Sequence, residues 1–209
     1  MAQVRKGRVS LTGAAYAVLL VASFAVSGET PGADESTQEV VSFYSENESK
    51  VMVSAILTGL SAVFFLFFIG SLGSVLQSRE GDRAGLPAVA RAGGVVAAVG
   101  ILIFGGLMFT LGDAADSLEP AAVQTLNALN ADFFLPLAAG MATFLLATGL
   151  LAVRSRVLPL WLGWAAVVIA VASFTPLGFF AFLASIAWVF AASLVLGLGQ
   201  AEASARSAS

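Results

Sequence analysis

The chain has 209 residues, 58% of them hydrophobic and 11% charged, with a mean hydropathy of +0.93 and a net charge of −3. A soluble domain averages roughly 25% charged residues, and a chain this size has too little interior to hide so much apolar surface. With no Cys and no His, disulfides, Cys/His zinc sites, haem ligation by those residues and nucleophile–His dyads are excluded. The pI near 4.9 offers no basic footprint for nucleic acid.

A helix needs about 20 mostly apolar residues to cross the ~30 Å hydrocarbon core. Six segments approach or exceed that length without an internal charge: Val9–Ser27, Val51–Leu76, Ala92–Gly112, Phe133–Val153, Leu158–Phe174 and Phe179–Gly199. Long continuous runs favour helices over the short alternating strands of a β-barrel. The predicted fold class is therefore all-α, an integral membrane bundle of six transmembrane helices with short loops and an outer interfacial helix. The first span follows Arg5-Lys6-Gly7-Arg8 and ends at Ala25-Val26-Ser27, as a signal peptide would. Its apolar stretch exceeds the usual 7–15 residues, which favours a retained anchor.

Between the first two spans, Ser36-Thr37-Gln38-Glu39 has capping-box spacing. Val40, Phe43, Tyr44, Asn47 and Val51 follow at helical spacing, so an interfacial helix leads into the second span. That span holds Phe64-Phe65-Leu66-Phe67-Phe68, aromatic on every face of its helix. Ahead of the fourth span, Val123, Leu126, Leu129 and Phe133 recur every three or four residues after Pro120, predicting a surface helix that continues into it, with Pro136 one turn inside. Thr175-Pro176-Leu177-Gly178 divides the last two spans, since one unbroken helix would extend about 60 Å, twice the core thickness. Residues 200–209 are small and polar and read as a disordered cytoplasmic tail.

With six spans and a cytoplasmic N-terminus, the inside segments carry Arg5, Lys6, Arg8, Arg79, Arg83, Arg91, Arg154, Arg156 and Arg206, against Lys50 alone outside. This split satisfies the positive-inside rule and predicts a multi-pass protein of the cell membrane with both termini cytoplasmic. Ten of the carboxylates then fall outside, from Glu29 to Asp132, making that face acidic.

Every ionisable residue falls in a loop or at a span end, which argues against a proton-coupled pump or a retinal protein. The polar residues within spans, among them Ser54, Thr58, Ser61, Thr110, Thr143, Thr148, Ser173 and Ser185, suit bonds to their own helix or to neighbours. One cluster is a candidate ligand site at the outer mouth: Glu46 and Asn47 at the second span, with Asn127, Asn130 and Asp132 at the fourth. The competing structural account has these residues capping helix ends and facing headgroups or water. No catalytic, cofactor-binding or metal-binding residue is expected, and the expected partners are the lipid bilayer and other membrane proteins, not nucleic acid.

Three stretches carry a family resemblance: Glu39-Val40-Val41-Ser42-Phe43-Tyr44-Ser45-Glu46-Asn47, Leu126-Asn127-Ala128-Leu129, and Arg154-Ser155-Arg156-Val157-Leu158-Pro159-Leu160-Trp161-Leu162-Gly163-Trp164. In these the chain resembles a domain-of-unknown-function family of small multi-span membrane proteins common in high-GC Gram-positive bacteria. The resemblance implies a helical membrane protein and, as the family brings no activity, no functional residue. A structural or regulatory membrane component is the favoured function, ahead of a transporter or channel for an uncharged or lipid-like solute. An enzyme built on outer carboxylates ranks last. A solid apolar bundle would favour the first, a continuous polar cavity the second, and converging carboxylates the third.

Overall fold

The computed structural model describes residues 11–80 and 85–208, with side chains described for 11–78 and 85–198. The basic residues Arg5, Lys6 and Arg8, the start of the first span at Val9, and Asp82 and Arg83 lie outside the described residues, as do the side chains of Arg79, Glu80, Glu202 and Arg206. The helices, in chain order, are α1 (Thr12–Ser27), α2 (Thr37–Glu80), α3 (Gly85–Ala114), α4 (Pro120–Asp132), α5 (Leu135–Ser155), α6 (Leu160–Ala172) and α7 (Gly178–Ala208). Among the described residues four stretches are long and apolar enough to cross a membrane, Thr37–Ser78, Gly85–Ala114, Pro120–Ser155 and Gly178–Leu198, while α1 and α6 are shorter apolar helices.

The helices close a circuit. In order around the bundle, α1 packs on α2, α2 on α3, α3 on α5, α5 on α6, α6 on α7, and α7 returns to α1. Small residues let the backbones of neighbouring helices meet closely. A Cβ on Gly93 would stand 2.6 Å from the Phe144 nitrogen, one on Gly140 would collide with the Ala97 backbone, and one on Gly149 would meet the Gly163 carbonyl at 2.7 Å. Most polar groups bond within the bundle, while Tyr16 OH, Thr58 Oγ1 and Thr148 Oγ1 are buried without a partner among the described residues. The hydroxyls of Ser61, Thr110, Thr143, Ser173 and Ser185 donate to carbonyls one turn back. Ser54 donates across to the Ser23 carbonyl of α1, and Trp188 Nε1 donates to the Leu162 carbonyl of α6.

Several boundaries differ from expectation. The break at 175–178 is present, with α6 ending at Ala172 and α7 starting at Gly178. The fourth apolar run does not continue from its surface helix, because the chain breaks at Phe133 and Phe134 and α5 starts at Leu135. Pro136 therefore occupies the first turn of α5, where its missing N–H costs nothing, rather than a position one turn inside. The fifth run forms helix only from Leu160, since Arg156 takes a left-handed conformation (φ 51°) that closes α5 and Pro159 precedes α6 in extended geometry. The C-terminal backbone stays helical through Ala208 rather than ending in the disordered tail expected from residue 200. Ala201, Glu202, Ala203, Ala205 and Arg206 are strong helix formers, and their propensity outweighs the polarity that suggested disorder.

Candidate functional site

One end of the bundle carries a cap made of the α1–α2 link (residues 28–36), the first turns of α2, and α4. The link turns at Gly28, whose φ of +67° suits a residue without a side chain. It ends in a reciprocal capping box: the Ser36 N–H and Oγ–H donate to Glu39 Oε2 at 3.1 and 2.7 Å, and the Glu39 N–H donates back to Ser36 Oγ at 3.4 Å. Those bonds to Ser36 hold the Glu39 carboxyl below its ordinary value. The α2 helix bends at Asn47 (φ −116°, ψ 18°), and the Asn47 Nδ2 donates to the Phe43 carbonyl while its Oδ1 accepts from Lys50 Nζ.

α4 fastens the link to α2. Tyr44 OH donates to Asn127 Oδ1 at 2.8 Å, and Asn127 Nδ2 donates to the Gly32 carbonyl at 3.0 Å and more weakly to that of Pro31. Gln124 Nε2 donates to the Glu35 carbonyl at 2.9 Å. Burial pushes the Tyr44 phenol up to about 12, so it stays a neutral donor at ordinary pH. A small apolar core of Val40, Tyr44, Val51, Ala55, Met108, Leu111, Ala115 and Val123 lies beneath this clasp.

The five candidate residues do not meet at one point. Glu46 and Asn47 line a surface groove with Glu29, Glu35 and Glu39. Among the described residues no cluster of acidic groups has the arrangement to hold a metal ion. Asn127 is 1% exposed and its amide is spent on the clasp. Asp132 is exposed and borders neither the groove nor the cavity beside it. Asn130 alone reaches that cavity, a space of about 560 Å³ under the link.

The cavity occupies the centre of the circuit at the cap end. Leu20 and Phe24 of α1, Thr58 of α2, Ile101, Phe104 and Met108 of α3, Leu137 of α5, and Phe179, Phe182 and Leu183 of α7 form its sides. Glu29, Thr30 and Pro31 of the link stand between it and the acidic groove and border both. Phe182 makes edge contacts with Phe24 (6.3 Å between ring centroids) and Phe134 (6.2 Å). Two residues of the wall have a buried oxygen without a hydrogen-bond partner among the described residues, Thr58 Oγ1 and Asn130 Oδ1.

Deeper along the axis the bundle is solid. Tyr16 stacks on Phe65 at 4.7 Å, and Phe144 makes edge contacts with Phe65 at 5.5 Å, Phe68 at 6.5 Å and Trp188 at 6.1 Å. At 1.5 Å per residue, Tyr16 lies about 6 Å beyond Leu20, while Phe65 and Phe144 lie about 10 Å beyond Thr58 and Leu137. The cavity thus lies between the link and an aromatic plug.

Sequence reasoning missed the cavity because its wall is assembled from several helices far apart in the chain. Thr58 carried a signal as a polar residue in an apolar run, but so did similar hydroxyls that prove mostly to bond their own helices. No family model, curated protein or solved structure matches this chain.

Proposed function

We propose that this chain is a six-span protein of the cell membrane, with both termini cytoplasmic and the acidic cap outside, acting as a structural or regulatory component that does not itself transport. The membrane reading rests on the flank of the bundle, where Val18, Val63, Phe67, Val99, Trp161, Val168, Val171 and Phe180 are all exposed. A belt this apolar needs lipid. α1 and α6 alone are short for a span, at about 24 and 20 Å. The apolar neighbours Leu158, Phe174 and Leu177 extend α6 at both ends. The resemblance to small multi-span proteins of high-GC Gram-positive bacteria is compatible with this reading and adds no site residue.

The observation that carries the non-transporting role is the plug of Tyr16, Phe65, Phe68, Phe144 and Trp188, each 3% exposed or less, closing the axis beyond the cavity. Transport of an uncharged or lipid-like solute is the second reading, favoured by a cavity lying at one end of the bundle, as part of a pathway would.

Two measurements test this. Single cysteines are clean probes in a chain without Cys. Cysteines replacing Ser36 and Ala121 are expected to react with an impermeant thiol reagent in intact cells, and those replacing Ser78, Ser155 and Ser207 only after lysis. Labelling of the Ser207 position in intact cells would mean an odd number of spans. In liposomes, uncharged solutes are expected to leak no faster with the protein than without it. Equilibration of a solute through the wild type would put the transport reading first.

A further inference from the structure

We propose that the outer face of α6, with Arg154 and Arg156 at its foot, is a docking surface for an anionic phospholipid of the leaflet away from the cap. This rests on the membrane placement above and names the lipid class that the face selects. From Phe133 to Gln200 the chain has no Asp, Glu or Lys, and Arg154 and Arg156 are its only charges. Arg154 lies about 25 Å along α5 from Leu137 of the cavity wall, at the end away from the cap. Both arginines are exposed, and neither side chain has a hydrogen bond or ion pair with a described residue.

The register of the turn sets these charges level with two indoles. A Cβ on Gly163 would stand 2.9 Å from Val153 Cγ2, so the first turn of α6 packs against the last turn of α5. Trp161 and Trp164 flank Gly163 in sequence and therefore share the height of Arg154, exposed at 62% and 54%. Val168 and Val171 continue the exposed stripe, at spacings of four and three that keep to one side of the helix. From Trp161 to Val171 the stripe runs about 15 Å, half of the ~30 Å hydrocarbon core. An acyl chain of one leaflet matches that length while its phosphate lies at the height of the two guanidinium groups. Charge then decides which phospholipid is held. A guanidinium binds phosphate oxygens through a fork of N–H donors, and two charges with no acidic neighbour in α5, α6 or the turn between them attract a net anionic head. A phosphatidylcholine head carries its own ammonium, which offsets its phosphate.

The chain's own tryptophans report which lipid sits there. Of the three, Trp188 is buried at 3% exposure, so Trp161 and Trp164 are the two that lipid can quench. The full chain is placed in equimolar vesicles of phosphatidylcholine and phosphatidylglycerol, with bromine on the chains of one lipid or of the other. Flotation with the vesicles tests the membrane placement independently of any lipid preference, and a chain that does not float overturns that placement itself. Quenching is expected to report an affinity for phosphatidylglycerol higher by about fivefold for each arginine. The preference should fall toward parity at 1 M salt, where the Debye length is about 3 Å. Arg154→Gln and Arg156→Gln should each remove one such factor, and the double variant both. Replacing both arginines by Lys keeps the charge and should keep the preference; its loss there would trace it to the fold of the turn and overturn the proposal. Replacing Trp161 and Trp164 by Phe should abolish the quenching. Equal quenching of the wild type by the two lipids, or an undiminished preference in the double Gln variant, overturns the proposal. Flotation without quenching by either lipid also overturns it, because a second copy or another protein would then cover the face.

Discussion

The cap and the plugged half of the bundle are held together by different means. In the plugged half, most hydroxyls bond carbonyls of their own helix, and apart from the bonds from Trp188 to Leu162 and from Ala14 to Ser193 the contacts between helices are glycines, alanines and interlocked aromatic rings. In the cap, the decisive contacts are side-chain amides and a phenol reaching backbone or side chain more than eighty residues away, Tyr44 to Asn127 and Asn127 to Gly32. The proposed membrane placement accounts for the difference. In a lipid surrounding, backbone groups must be satisfied locally and only shape distinguishes one neighbour from another. Where water competes, an irregular link such as residues 28–36 needs buried amides to fix it, because its own backbone cannot form a regular ladder.

The largest effect is therefore expected from emptying the plug. Phe144 touches Phe65 and Phe68 of α2 and Trp188 of α7 at once. Phe144→Ala leaves a cavity that surrounding rings cannot collapse into. In water such a change costs about 3–5 kcal/mol, but part of that is transfer from water, which a lipid-embedded chain forgoes. A loss of about 2–3 kcal/mol is expected, read as a lowered melting temperature in detergent. If Phe144→Ala costs less than Leu→Ala changes on the flank, the plug is not the tightest part of the molecule.

The same contrast explains what could be read in the sequence. The apolar runs, the turn at Thr175–Gly178 and the capping box at Ser36–Glu39 are local patterns, and each stands in the structure. Of Phe64 to Phe68, the run that covers every helical face, Phe65 and Phe68 are fully buried and Phe67 is 58% exposed. Composition alone cannot make that division, because it is set by where α1 and α5 pass. On α4 the apolar spacing pointed to Val123, Leu126 and Leu129, yet the buried face is Val123, Asn127 and Asn130, with Leu129 50% exposed. Two asparagines point inward because one has a phenol and two carbonyls waiting and the other faces a cavity. Neither partner is visible without the fold.

A middle-sized effect is expected from the clasp. Asn127→Ala removes the acceptor of Tyr44 and the donor to Gly32, leaving a phenol hydroxyl on a residue 1% exposed without a partner. An unsatisfied buried group costs about 1–3 kcal/mol. Tyr44→Phe in the same background should recover part of the loss, since it removes the orphaned hydroxyl, and the double-mutant cycle measures the coupling. The damage should also stay in the cap: protease cutting within residues 28–36 should rise while amide protection around Phe144 holds. Equal loss of protection at both places would mean that the two regions unfold as one.

The smallest effect belongs to the capping box, the one part of the clasp that titrates in the acid range. Glu39 lies on the surface of α2 ahead of the bend at Asn47, outside the apolar run Val51–Leu76 predicted to span, and its bonds from Ser36 hold its pKa below the ordinary 4.5. A carboxyl whose folded pKa is depressed stabilises above the unfolded pKa and loses that contribution as pH falls through the folded value. Its exposure and its bond from the Ser36 hydroxyl make the effect local, because water screens the charge. Glu39→Gln keeps the shape and an acceptor but does not titrate, so it is the reference. Protection of the backbone amides at positions 39 and 40 in wild type, relative to the same two amides in Glu39→Gln, should be highest near neutral pH and converge on the variant below about pH 4. Tyr44 and Asn127 change no charge over that range, so the link should remain fastened throughout. A wild-type advantage that persists unchanged to about pH 3, below the ordinary carboxylate range, would show that geometry alone, without the carboxylate charge, holds the first turn of α2.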